Sequence, residues 1–272
     1  FEWMATMNTE VDVLDTNKVL ETSMEAGRIM LENGAEIFRV EDTMKRISQA
    51  YGVKEGNFFV LSNGIFTTGL DEKGNKCFAK VEQIPVHGAD LYKVIEINQL
   101  SREICDGKHS LDEARERIQV IREGKRKSKS LQIFATALGA GCFAILLEGT
   151  IWDGISAFAA GAVLGLFMVF VSSKYLSKIT GNILASALVT LVCLFFNNLT
   201  LFPSNMMSMI GGAIIPLVPG VAFVNGIRDI GDGDYISGTV RLLDSMLVFL
   251  CIAVGVGVVL SVYAMITGGL VL

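Results

Sequence analysis

Gly124-Lys125-Arg126-Lys127-Ser128-Lys129-Ser130 is where a charged, water-compatible sequence gives way to an apolar one. Of the 51 Asp, Glu, Lys and Arg residues, 41 lie in the first 130 positions and only 10 in the remaining 142. A single aqueous core requires no such segregation. With 51% hydrophobic residues concentrated in one half, the 272-residue chain reads as two domains for two solvents. The expected architecture is an α+β cytoplasmic domain over 1–130, then an all-α membrane bundle of five transmembrane helices over 131–272.

Downstream of the basic cluster, five apolar runs approach the ~20 residues that an α-helix needs to cross about 30 Å of hydrocarbon. They are Leu131 to Leu147, Ile151 to Val171, Ile179 to Phe196, Met206 to Val224, and Leu242 to Val262 or beyond. Lys125, Arg126, Lys127 and Lys129 precede the first run, Lys174 and Lys178 follow the second, and Arg228 and Arg241 flank the connector after the fourth. The connectors Glu148 to Thr150 and Asn197 to Asn205 hold no Lys or Arg. Basic residues thus alternate sides, which predicts a cytoplasmic N-terminus and a C-terminus outside. Small residues recur at Gly139-Ala140-Gly141, Ala157 to Gly165, Gly211-Gly212-Ala213 and Gly255-Val256-Gly257, spacings that let helices approach closely.

The stretch from Gly211 to Gly226 contains Pro216, Pro219 and Gly220, which remove or weaken helical hydrogen bonds and free backbone groups that lipid cannot satisfy. Two readings stand: a discontinuous helix lining a substrate or ion site, or a proline kink that only shapes packing. Six of the ten charges in the membrane half follow closely, as Arg228, Asp229, Asp232, Asp234, Arg241 and Asp244. Asp244 is expected deepest in the bilayer, with Arg241 as its i, i+3 partner. Asp229, Asp232 and Asp234 read as a solvated Gly-rich loop; no bidentate Glu closes the segment, so no metal is expected.

Upstream of the seam, apolar residues from Asn17 to Ala50 follow a helical period interrupted at Asn33-Gly34, predicting two helices or one broken one. Asn57 to Gly69, broken at Ser62-Asn63-Gly64, and Lys76 to Val86 read as three short strands. Ala89 to Cys105 is helical, and Ser110-Leu111-Asp112-Glu113 is a capping box whose helix runs to about Gly124. Two stretches are candidates for chemistry. Glu32, Glu36 and Arg39 share a helical face, Glu32 and Glu36 repelling unless a cation such as Arg39 sits nearby, or they form an exposed ion-paired face. His87 sits at a helix entrance, where capping or packing competes with catalysis.

The net charge of −5 gives no reason to expect nucleic acid. Five scattered cysteines show no C-x-x-C spacing, so neither a disulfide framework nor a zinc site is expected. No cofactor motif appears. The acidic N-terminal segment lacks an apolar h-region, so the first domain is expected to remain on the side where it is made.

Gly27 to Glu36, the Arg39-Val40-Glu41-Asp42 stretch and Pro216-Leu217-Val218-Pro219-Gly220 together resemble the threonine/serine exporter (ThrE) family over most of the chain. Full-length members look like two five-span halves in one chain, and this sequence resembles the first half, the split form in which a small membrane partner supplies the rest. The resemblance implies proton-coupled export of a small amino acid, threonine- or serine-like, or in split systems of a dicarboxylate such as succinate. It implies the bacterial inner membrane, a second small membrane subunit or a homo-oligomer, and no enzyme activity. Matching positions carry the soluble motif onto Glu32, Asn33, Gly34, Glu36, Arg39, Glu41 and Asp42. They carry the substrate and ion pathway onto Pro216, Pro219, Gly220, Asn225, Arg228, Asp229 and Asp244, with Arg228 or Arg241 attracting a carboxylate.

A membrane-anchored hydrolase is the competing class. One span suffices for an anchor, however, and no nucleophile-base pair is visible. A third reading is a regulatory subunit whose cytoplasmic domain gates a partner's pore.

Overall fold

The computed structural model describes residues 2–53, 56–70, 76–84, 89–124, 128–172, 176–199 and 204–268. His87, Lys125 to Lys127 and Lys174 lie outside the described residues. The chain falls into two compact units, one of residues 1–125 and 221–243, the other of residues 126–220 and 244–272.

In the first unit, α1 (Glu2–Glu32) and α2 (Ile37–Ala50) are separated where the sequence predicts a break. Gly34 there has φ +82°, a left-handed conformation that costs glycine little, and the Asn33 side-chain amide donates to the Ile29 carbonyl at 2.6 Å. Three antiparallel strands follow, β1 (Gly56–Leu61), β2 (Gly64–Leu70) and β3 (Lys76–Gln83), in the order β1-β2-β3. Alternation sorts the faces: Val60 and its partner Ile65 are buried, whereas Phe59, Phe66 and Val81 are exposed. α3 (Leu91–Cys105) and α4 (Leu111–Glu123) complete the 1–125 segment. α4 starts with the expected capping box: the Ser110 amide donates to the Glu113 carboxylate at 2.8 Å, and the Glu113 amide donates to Ser110 Oγ at 3.4 Å.

The core of this unit is aliphatic. Ile29, Met30, Ile37, Met44, Ile47, Ile65, Ile84, Ile97 and Ile118 are fully buried in one cluster. Each such side chain contributes roughly 1.5–3 kcal/mol relative to its exposed state.

The second unit contains α5 (Lys129–Leu146), α6 (Ile151–Phe167, continued by a π turn over Met168–Ser172), α7 (Lys178–Leu199) and α8 (Met206–Ile214). Its interior mixes larger aliphatic side chains such as Leu164, Val189 and Met209 with many alanines, Ala140, Ala144, Ala157, Ala160, Ala185 and Ala213 being fully buried. Helices meet closely as a result: a Cβ on Gly212 would lie 2.3 Å from the Ala144 backbone nitrogen. Asp153, fully buried, has every partner it needs. Its carboxylate accepts from the Thr150 amide at 2.7 Å and hydroxyl at 2.8 Å, and from the Asn205 amide at 3.0 Å, which ties the starts of α6 and α8 together.

The fourth apolar run is interrupted. α8 ends at Ile214, a 3₁₀ turn covers Ile215–Leu217, Val218 is extended, and α9 (Gly220–Gly231) begins after Pro219. Pro216 and Pro219 supply no amide hydrogen, so a continuous ladder is impossible there. The last helix, α10 (Tyr235–Thr267), starts earlier than the apolar run from Leu242 and so takes Arg241 and Asp244 into a helix. Among the described residues, four helices are long and apolar enough to cross a membrane, or five when the broken pair Met206–Leu217 and Gly220–Gly231 counts as one span.

Candidate functional site

Within the first unit, the turn between α1 and α2 is held by side chains from near the end of α9 and the start of α10. The first turn of α2 exposes backbone amides, and its N-cap residue Glu36 makes no side-chain capping bond. Asp229 does so instead: its Oδ1 accepts the Ile37 amide at 3.2 Å. A carboxylate at a helix N-terminus also opposes the positive end of the helix dipole. Its Oδ2 lies 2.9 Å from Arg241 Nη1, an ion pair. Arg241 Nη2 donates to the Ala35 carbonyl at 2.9 Å, and Asn225 Nδ2 donates to the Gly34 carbonyl at 2.8 Å. Arg228 pairs with Glu36, whose second oxygen lies 3.2 Å from Arg39 Nε.

Every residue from Gly34 to Ile37 is therefore gripped by one of Asn225, Arg228, Asp229 and Arg241. Asp229 is 1% exposed and the Arg241 side chain 11%, so both charges are withdrawn from water. Removing either leaves the other uncompensated, which is what gives a buried pair its power to define one conformation. Close helix approach lets α9 and α10 present these groups together. A Cβ on Gly238 would lie 2.7 Å from the Gly226 carbonyl oxygen and 2.6 Å from Ile230 Cγ1.

The remaining motif residues have separate partners. Glu32 pairs with Arg28 at 2.9 Å, and Arg28 reaches Glu82 on β3 at 2.6 Å. Glu32 and Glu36 do not share one helical face, because the helix breaks between them; Glu36 has Arg39 beside it, the cation the spacing suggests, and Glu32 has Arg28. Glu41 Oε1 accepts the Val60 amide at 2.9 Å, satisfying a donor on the edge strand β1. Burial raises the Glu41 carboxyl above the usual range, and Asp234 pushes in the same direction against the lowering effect of the Val60 amide. Asp42 pairs with Arg46 at 2.8 Å.

In the second unit, Pro216 lies in the 3₁₀ turn, with Pro219 and Gly220 at the break that follows. Asp244 pairs with Lys178, not with Arg241 as the i, i+3 spacing predicts. Arg241 is engaged by Asp229 and Ala35 and does not serve Asp244. Sequence reasoning missed Arg28 and Asp153, and read Lys178 only as a connector charge. Arg28 had a local signal, its i, i+4 spacing to Glu32; Lys178 to Asp244 has none.

Several membrane-length helices, a proline-broken helix pair and a small helical domain with a three-stranded sheet are the features of a polytopic membrane protein. The chain belongs to the ThrE family, described as "Putative threonine/serine exporter", whose model matches residues 21–263. It is similar to the "Probable succinate transporter subunit YjjP" of Escherichia coli K12, 24% identical over 251 residues that cover 91% of this chain and 95% of that one. The protein of the same description in Klebsiella aerogenes is 22% identical over 261 residues, covering 94% and 98%. The "Probable threonine/serine exporter" of Mycobacterium tuberculosis is 22% identical over 267 residues, which cover 96% of this chain and 49% of that protein. No solved structure matches.

Proposed function

We propose that this chain is the larger subunit of a two-component, proton-coupled exporter in a bacterial inner membrane, with residues 1–130 forming a cytoplasmic domain and the later helices five spans. The observation that carries the reading is the match of one transporter family to residues 21–263, a range that includes both the gripped turn and the residues that grip it. The need for a partner is supported by the relatives. The two matched nearly end to end are called subunits, whereas the mycobacterial exporter is about twice the matched length. The alternating basic connectors support a cytoplasmic N-terminus and a C-terminus outside.

The cargo in this reading is a small amino acid, threonine- or serine-like, after the family description. A dicarboxylate is the second reading, favoured by the end-to-end match to two succinate transporter subunits. Both carry a carboxylate. The break at Pro216, Pro219 and Gly220 offers backbone dipoles to such a cargo, as discontinuous helices do in other transporters. Asp244 is the proton-coupling group, and its pairing with Lys178 is made and broken as the proton moves. The grip of Asn225, Arg228, Asp229 and Arg241 on residues 34–37 links the soluble domain to α9 and the start of α10.

The test is export of threonine, serine and succinate from cells lacking their own exporters, with this chain alone and with its genomically neighbouring small membrane protein. Export only with both is expected. Export of none of the three in either arrangement overturns the reading, and full export by this chain alone overturns the two-component part of it.

A further inference from the structure

In the first unit, Arg39, Asp42, Arg46 and Arg102 line a cleft of about 200 Å³ between α2 and α3, with Thr43 and Asn98 also in its wall. Three guanidinium groups face one carboxylate. Asp42 is taken by Arg46 at 2.8 Å, and Arg39 lies 3.2 Å from Glu36. Arg102 has no ion-pair or hydrogen-bond partner for its side chain among the described residues. Thr43, almost fully buried, donates to Asn98 Oδ1 at 3.4 Å, which occupies the acceptor of that amide and leaves its nitrogen as a donor.

We propose that this cleft binds a small, soluble dianion bearing carboxylate or phosphate oxygens. Guanidinium groups meet such oxygens through paired, charge-assisted hydrogen bonds, and Arg102 and Asn98 supply donors that the fold itself does not consume. Among the described residues Arg102 has no counter-ion and Arg39 shares Glu36 with Arg228, so positive charge remains in excess at the cleft and favours a dianion over a monoanion. The volume falls below the roughly 300–1,000 Å³ of sites for drug-sized ligands, so the ligand is small. Arg39 makes the cleft continuous with the gripped turn, because its partner Glu36 also holds Arg228. Nothing in this proposal depends on the cargo of the exporter.

The experiment measures binding to the full chain in detergent by calorimetry at constant ionic strength, with succinate, inorganic phosphate and acetate as probes. Saturable binding of succinate or phosphate is expected, the tighter one identifying the oxyanion, with acetate binding at least about tenfold more weakly. Arg102→Ala is expected to weaken the tighter dianion by about tenfold or more, the order of one lost charge-assisted contact. Lys108→Ala, which removes a surface ion pair with Asp106, leaves it unchanged. No saturable binding up to about 10 mM, or equal affinity in wild type and Arg102→Ala, overturns the proposal.

Discussion

Asp229 Oδ1 accepts the amide of Ile37 at 3.2 Å, so the first turn of α2 is capped by a carboxylate 192 positions downstream. The same carboxylate faces Arg241, which itself holds the Ala35 carbonyl. A helix end, a buried charge and a remote helical hairpin are thus satisfied by two side chains.

Asp229→Ala removes the cap and leaves the Arg241 guanidinium buried without its counter-ion. The expected loss is about 3–5 kcal/mol, the scale for breaking a buried pair from one side. Asp229→Ala combined with Arg241→Met is expected to be more stable than Asp229→Ala alone, since no buried charge then remains. Chemical denaturation of the detergent-solubilised chain reads both, and a double variant no better than the single one counts against the buried-charge account.

Glu41 gives a pH signature. Its carboxyl is raised by burial, so the folded chain holds this proton more tightly than the unfolded chain. Its contribution is fully present below the unfolded value, near ~4.3, and is lost as pH rises through the folded value. Glu41→Gln keeps an acceptor for the Val60 amide and abolishes that dependence. The stability of Glu41→Gln relative to wild type therefore rises with pH across this window and is constant above it; parallel unfolding midpoints from pH 4 upward contradict the assignment.

Local features of this fold were legible in the sequence because their causes are local. Asn33-Gly34 stops a helix through a left-handed glycine, Ser110 and Glu113 cap one across three residues, and Pro216 with Pro219 break one by withholding amide hydrogens. The site was legible only as a list of residues. Spacing rules see neighbours on one helix and so pair Arg241 with Asp244 and place Glu32 and Glu36 on one face. The contacts are Arg241 with Asp229, Asp244 with Lys178, and Arg228 with Glu36, which depend on how distant segments pack. Asp153 has a local signal, the capping box with Thr150, but its contact with the Asn205 amide 52 positions away has none.

Gly238 sets how closely α9 and α10 approach. A Cβ there meets backbone, 2.7 Å from the Gly226 oxygen and 2.8 Å from the Ile230 nitrogen, so Gly238→Ala forces the two helices apart. Overpacking of this kind costs about 1–3 kcal/mol. Gly231→Ala has nothing within 4 Å of the new methyl, and it is expected to be neutral or stabilising by up to about 1 kcal/mol. Comparable losses in the two variants contradict the close crossing as the cause.

Asp244 and Lys178 separate stability from coupling. The Asp244 side chain is 49% exposed and its pair with Lys178 is not enclosed by protein, so Asp244→Asn is expected to fold almost as well as wild type. If Asp244 carries the coupling proton, the same variant loses the acceleration of export by a proton gradient, because an amide takes up no proton in this range. Lys178→Ala removes the partner but leaves the carboxyl in place, so a gradient response is expected to persist in it, unlike in Asp244→Asn. Export in vesicles that hold this chain and the proposed small partner, with and without an imposed gradient, measures both. A gradient response intact in Asp244→Asn removes the residue from the coupling step and leaves Lys178–Asp244 as a surface pair between α7 and α10.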